Sequence, residues 1–237
     1  MTTRTQRPYL VFCDVDETLI STKSMFDFLA FHTPPGVYRR VAGELRSMAD
    51  RGVPRTEVNR AYYRAYRGAP VVEIREAGRR WYADRAAREG FYLPDTLLAL
   101  REHRLAGAAL VLVSGSFDAC LDPIAEAVDA SHVLCTRPLT ARGRYTGEIE
   151  TPMIGEHKEA AVRQLLDEHS TVDPADCYAY GDHPSDLPML DLVGHPVAVG
   201  DHPEVLAHLA ARRRRRAGHS TAGHSTAGRS TARGARA

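Results

Sequence analysis

Four short apolar runs recur along the chain, and each ends in a small or acidic residue. They are Tyr9–Cys13, running into Asp14-Val15-Asp16; Ala108–Val113, into Ser114-Gly115-Ser116; Cys177–Tyr180, into Gly181-Asp182; and Pro196–Val199, into Gly200-Asp201. Continuous apolar runs of this length read as strands buried on both faces, the condition of a parallel sheet. Helical patterns lie between them. Pro94–His103 opens with Pro and Asp, Asp122–Ala130 is amphipathic, and Glu156–His169 sets Lys158, Ala161, Val162, Leu165 and Leu166 on one face. Strands alternating with helices predict an α/β fold, a doubly wound Rossmann-like parallel sheet. Ligands of such sheets bind outside the carboxyl ends of the strands, where every one of these runs stops.

Residues 21–92 interrupt the alternation. Val37, Val41, Leu45 and Met48 form one helical stripe; Val58, Ala61, Tyr62, Ala65 and Tyr66 a second; Val71, Ile74, Gly78 and Trp81 a third. Pro35, Pro54 and Pro70 stand at helix starts, and Gly52 and Gly68 at helix ends. The stretch predicts an inserted all-helical cap domain, with the catalytic core formed by 8–20 and 93–211. The two turn glycines of Arg137–Ile149 predict a β-hairpin. From Arg212 to Ala237 the chain is Arg-rich and repetitive, with no aliphatic residue larger than Ala, and is expected to be disordered.

Charge follows the same partition. The tail carries +8, residues 21–92 carry +6, and the remainder carries −13. A basic insert over an acidic core favours an anionic substrate. The four cysteines form no Cys-x-x-Cys pair and sit among apolar residues, so buried reduced thiols are expected. No apolar run approaches the ~20 residues of a membrane helix. The first residues lack the apolar segment of a signal peptide, so a cytoplasmic protein is expected.

The chemistry starts at Asp14-Val15-Asp16-Glu17-Thr18. Two carboxylates two residues apart, on a chain leaving a strand, can serve one metal differently, one by its side chain and the other by its backbone carbonyl. That leaves the Asp16 side chain free for proton transfer. A carboxylate nucleophile divides phosphoester hydrolysis into two easier steps. It needs a cation to offset its repulsion from the phosphate, and Mg²⁺ suits an all-oxygen site.

Four motifs in order then resemble the haloacid dehalogenase superfamily of phosphohydrolases over residues 8–210. The closer resemblance is to the subgroup with a helical cap after the first motif, which includes phosphoserine phosphatases. The motifs are Asp14-Val15-Asp16-Glu17-Thr18-Leu19, Ser114-Gly115-Ser116, Lys158, and Gly181-Asp182-His183-Pro184-Ser185-Asp186. The resemblance implies that Asp14 attacks phosphorus, Asp16 protonates the leaving oxygen and then activates water, and Ser114 binds a phosphoryl oxygen. Lys158 would neutralise Asp14 and the phosphate. Asp14, Asp16 and Asp182 would hold Mg²⁺, with Asp186 orienting a metal water or Lys158. Thr18, Gly115, Ser116, Ser185, Lys23, Met25, Phe26 and Arg55 are candidate substrate contacts.

The chain departs from the family in places. Position 17 is Glu, where many members have Gly or Ser. Ser21–Ser24 holds a lysine and no acid, where phosphoserine phosphatases carry a Glu for the substrate ammonium. Lys23 there favours a neutral or acidic leaving group. Gly200-Asp201-His202-Pro203 repeats the tetrapeptide at 181–184 but lacks the Ser-Asp that follows it, so Asp201 reads as a loop or cap residue. The expected substrate is a small phosphorylated metabolite, with phosphoserine and histidinol phosphate as alternatives. An alternative of another class is nucleic-acid binding by the five consecutive arginines, which no aromatic residue interleaves for base stacking.

Overall fold

The structure is a computed structural model and describes residues 8–222. Five parallel strands form its sheet, in the order β3-β2-β1-β6-β7. They are β1 (Leu10–Cys13), β2 (Ala109–Ser114), β3 (His132–Cys135), β6 (Tyr178–Gly181) and β7 (His195–Ala198). The four strands read from apolar runs are all present, each shifted by about one residue. β1 is buried along its whole length, and Val11, Phe12, Val111 and Leu112 are fully excluded from solvent. β3 was not anticipated: it is a half-buried edge strand of four residues that opens on His and leaves an apolar run of only three, Val133–Cys135.

The chain builds outward from β1 to β2 and β3, then returns to place β6 on the other side of β1. The order therefore reverses at β1, and a crevice opens between the carboxyl ends of β1 and β6. Pairing continues one residue past β1, where the Asp14 N–H donates to the Tyr180 carbonyl at 3.0 Å. This bond fixes the direction in which the chain leaves the strand.

The flanking helices of the core are α5 (Pro94–Leu105), α6 (Asp118–Val128), α7 (Glu156–Glu168), α8 (Leu187–Leu190) and α9 (Pro203–Ala222). Between β1 and α5 stand α1 (Ser24–His32), α2 (Pro35–Asp50), α3 (Arg55–Tyr63) and α4 (Val71–Ala86). The stripes read from the sequence lie on α2, α3 with the 3₁₀ turn after it, and α4. The hairpin is β4 (Pro138–Ala141) with β5 (Arg144–Ile149). Inside the insert Tyr62, Tyr63, Phe28 and Trp81 are fully buried; the first three meet Phe117 of the core and Trp81 packs edge-on against Phe28, so one aromatic cluster spans both parts. All four cysteines are free and buried.

The insert also touches the core backbone directly. A Cβ on Gly78 of α4 would lie 1.8 Å from the Ala119 carbonyl oxygen of α6. Neither helix backbone can yield by that much. Gly78→Ala is therefore expected to destabilise the protein by about 1–3 kcal/mol through overpacking. Thermal unfolding checks this, and an unchanged midpoint would mean that the two helices do not cross so closely.

The C-terminal segment differs from expectation. The tail read as disordered from Arg212 is helical through Ala222, and its later residues lie outside the described ones. The reason is local. Arg and Ala are strong helix formers, Leu209 is buried, and the arginines have backbone partners. Arg212 donates to the carbonyls of Leu190 (2.7 Å) and Val193 (2.5 Å), and Arg216 to that of Gly194 (2.8 Å). Composition alone did not show that the α8–β7 connection offers carbonyls to this helix.

Candidate active site

Three carboxylates converge at the crevice. One oxygen from each of Asp14, Asp182 and Asp186 lies within 4.8 Å of the others. Asp14 follows β1 and Asp182 follows β6. Asp186 comes from the turn after β6, whose approach is permitted by Gly181: a Cβ there would stand 2.7 Å from the Asp186 Cβ. Lys158, in the first turn of α7, reaches in from the third side. Its Nζ donates to Asp14 Oδ1 at 2.5 Å and to Asp186 Oδ1 at 2.7 Å. Lys158 is 4% exposed and Asp186 1%.

Three carboxylates facing one ammonium leave a deficit of positive charge. Burial raises the Asp14 carboxyl well above its ordinary range; Lys158 pulls it down, and Asp186 and Asp16 push it further up. Burial and then Asp186 raise Asp182. Burial works against the Lys158 ammonium, but Asp14 and Asp186 outweigh it and hold its pKa above the usual value. A second cation among these oxygens would relieve the deficit. The donor set is all oxygen, which fits Mg²⁺.

Asp16 stands apart from this cluster. Its Oδ1 accepts the Ser24 N–H at 3.1 Å, and burial, opposed by the Ser24 bonds, raises its pKa to about 6. Its side chain lies outside the group formed by Asp14, Asp182 and Asp186. The shift also has a consequence for stability. An acid whose folded pKa exceeds its unfolded value binds its proton more tightly when folded, so metal-free stability falls as pH rises from about 4 to about 6. Asp16→Asn removes that loss. In EDTA the variant is expected to exceed the wild type by on the order of 2–3 kcal/mol at pH 8 and to match it near pH 4. Unfolding midpoints at the two pH values check this.

Ser114 closes β2 and is 1% exposed. Its Oγ accepts the Ser116 N–H at 3.1 Å. The Gly115 carbonyl accepts three donors: Asn59 Nδ2 at 2.9 Å, Tyr63 Oη at 3.0 Å and Thr136 Oγ1 at 2.9 Å. Sequence reading did not find these three donors. Asn59 and Tyr63 sit at i,i+4 on α3, a spacing that marks one helix face, but nothing in the sequence says what the face meets.

The candidate substrate contacts divide. Thr18 is fully buried and donates to Asp182 Oδ1 at 3.0 Å, so it holds a carboxylate in place. Ser116 is fully buried and its hydroxyl receives that of Ser24 at 2.8 Å, which ties the second motif to the start of α1. Met25 is buried beside Asn59, and Phe26 packs edge-on against Tyr62. Ser185 donates its N–H to His183 Nδ1 at 3.0 Å. Arg55 of α3 reaches across to His183, Nη1 to Nδ1 at 2.6 Å. Burial and then Arg55 lower the His183 pKa to about 4, which keeps the ring neutral.

The sequence implied a lone cation at Lys23, and the structure pairs it. Its Nζ lies 3.2 Å from Glu17 Oε2, and the pair is close to neutral. Glu17 has φ 62, the left-handed region that Gly adopts freely. The repeated tetrapeptide brings the His202 ring to 5.6 Å from that of His183, while Asp201 stays exposed in the loop before α9 and outside the carboxylate cluster.

Comparison with known proteins accords with this geometry. The model of the haloacid dehalogenase-like hydrolase family matches residues 11–191. A Mycobacterium tuberculosis protein named a probable phosphatase is 42% identical over 98 residues, 41% of this chain and 33% of that protein; the chain thus spans about a third of that relative's length. The inhibition of morphological differentiation protein of Streptomyces azureus is 32% identical over 198 residues, 79% of this chain and 70% of that one. A crystal structure of a Bordetella pertussis protein of unknown function superposes with a TM-score of 0.76 at 28% identity, covering 87% of this chain and 96% of that one. The chain belongs to the haloacid dehalogenase-like hydrolase family.

Proposed function

We propose that the protein is a Mg²⁺-dependent phosphomonoesterase acting on a small phosphorylated metabolite through an aspartyl-phosphate. One observation carries the reading: Asp14 lies at the strand-order reversal, bonded to Lys158 and grouped with Asp182 and Asp186, while Asp16 stands outside the group with a pKa near neutrality. The family and the name of the Mycobacterium relative support it.

Asp14 and Asp182, with the Asp16 backbone carbonyl, would hold the Mg²⁺, and Asp186 would stay on Lys158. The bound ion supplies charge neutralisation for the phosphoryl group. Lys158 Nζ holds Asp14 at a fixed angle through Oδ1 and leaves Oδ2 to attack phosphorus in line. Asp16, protonated at first, donates its proton to the departing oxygen. As a carboxylate it then takes a proton from the water that hydrolyses the acyl-phosphate. A group with a pKa near the working pH serves both steps. Ser114 donates its hydroxyl to a phosphoryl oxygen.

The insert over the crevice restricts the substrate to small molecules. Arg55, lying against the neutral His183, is the cation at the mouth that favours a neutral or acidic leaving group. Lys23 contributes less than its charge suggests, because Glu17 offsets it. The test is phosphate release from a panel of small phosphomonoesters with Mg²⁺ and after EDTA. Turnover that EDTA abolishes and Mg²⁺ restores is expected, with acidic and neutral esters ahead of ammonium-bearing ones. EDTA-resistant turnover would overturn the metal assignment, and a preference for phosphoserine would overturn the charge argument.

A further inference from the structure

The Gly115 carbonyl has two lone pairs and three donors, two of them from the helical insert. Such saturation is expensive for the donors as well. Asn59 is buried, and its Oδ1 has no hydrogen-bond partner among the described residues. An unpaired buried acceptor is costly. The amide is therefore held where only its N–H₂ end is used, on Gly115. Tyr63 is likewise fully buried, with its hydroxyl on the same oxygen.

The Gly115 carbonyl and the Ser116 N–H belong to one peptide plane, so fixing the first fixes the second. That N–H donates to Ser114 Oγ at 3.1 Å. It thereby occupies an acceptor position of the hydroxyl and leaves the Ser114 O–H to donate elsewhere. Thr136 braces the loop from the core side, its hydroxyl on the Gly115 carbonyl of this plane and its N–H on the Ser116 carbonyl of the next, at 3.0 Å.

We propose that Asn59 and Tyr63 are positioning residues that act through the Gly115 carbonyl to keep the Ser114 hydroxyl aimed as a donor at the phosphoryl group. The arrangement makes the phosphoryl-binding loop depend on α3 being seated on the core. Placement of the insert over the crevice and orientation of Ser114 are then one event. The inference rests on the phosphatase reading for its catalytic part and on geometry alone for the loop.

The double variant Asn59→Leu with Tyr63→Phe removes both donors from the insert while keeping side-chain volume. Two readouts apply. In ¹⁵N-labelled protein, exchange of the Ser116 amide is expected to quicken about tenfold or more, with the β2 amides of Val111 and Leu112 unchanged as a control of folding. An unchanged Ser116 rate overturns the proposal. On the best ester of the panel, kcat/KM is expected to fall about tenfold in the otherwise native chain and not at all in a Ser114→Ala background, because the effect runs through that hydroxyl. An equal loss in both backgrounds would mark a merely structural role and overturn the proposal. If the wild type released no phosphate from any ester, the phosphatase reading would fail, and the amide exchange would still decide the clamp. Should the double variant not fold, Tyr63→Phe alone is subjected to the same two measurements with the same deciding outcomes.

Discussion

Asp14→Asn is expected to abolish phosphate release, lowering turnover by on the order of 10⁴-fold or more, the scale of losing a nucleophile. The substitution keeps shape and removes one charge. The Asn Oδ1 can still accept from Lys158, and the β1-to-β6 bond of residue 14 uses only its N–H. What is lost is an oxygen able to form an acyl-phosphate. Folding is not expected to suffer. The metal-free protein holds three carboxylates, two of them buried, near one ammonium, so removing a charge relieves repulsion while Asp186 keeps Lys158 paired. An inactive variant with a midpoint in EDTA at or above that of the wild type is the outcome anticipated from steady-state kinetics and thermal unfolding. Turnover within tenfold of the wild type would place the nucleophile elsewhere and defeat the proposed mechanism.

The parts of this site that could be read in advance share a physical cause. Strands buried on both faces leave continuous apolar runs, and the residues that end them fall on one edge of the sheet, so Asp14, Ser114 and Asp182 could be placed together before any coordinates. Lys158 stood out as one of only two lysines, at a helix start. The parts that stayed hidden depend on tertiary approach. Thr18 looks like a loop residue until β6 brings Asp182 to 3.0 Å. Lys23 looks like a free cation until the left-handed turn at Glu17 folds a carboxylate back onto it. β3 has too little apolar surface to show in a pattern, and Asn59 needed the seating of α3 to acquire a role. The helix over Arg212–Ala222 escaped a compositional rule because Arg212 and Arg216 donate to carbonyls of another segment. Composition measures what a segment can bury, and says nothing of what a neighbour leaves unpaired.

Lys158→Met tests the electrostatic core of the site through stability rather than rate. In the native arrangement Nζ bridges Asp14 and Asp186, all three groups being nearly inaccessible. Methionine fills similar volume but leaves two buried carboxylates facing each other with no cation. Breaking a buried pair in this way costs about 3–5 kcal/mol, a large share of the ~5–15 kcal/mol that typically holds a domain together. For a chain of this length the midpoint in EDTA is expected to drop by roughly 10 °C. The sign of the pH dependence follows from the same charges. With the ammonium gone, the buried Asp14 carboxyl loses the one group that lowers its pKa and binds its proton more tightly folded than unfolded, so the deficit grows as pH rises above about 4. The variant is therefore expected to lie closer to the wild type at pH 5 than at pH 8. Mg²⁺ at pH 8 is expected to recover part of the loss, since a cation among the same oxygens replaces some of the missing charge. Catalysis should not recover with it, because the proposed mechanism needs Lys158 to hold Asp14 at its attacking angle. An unfolding midpoint in EDTA that is insensitive both to the substitution and to pH would show that Lys158 does not bridge the two carboxylates, and the charge balance assigned to this crevice would fail with it.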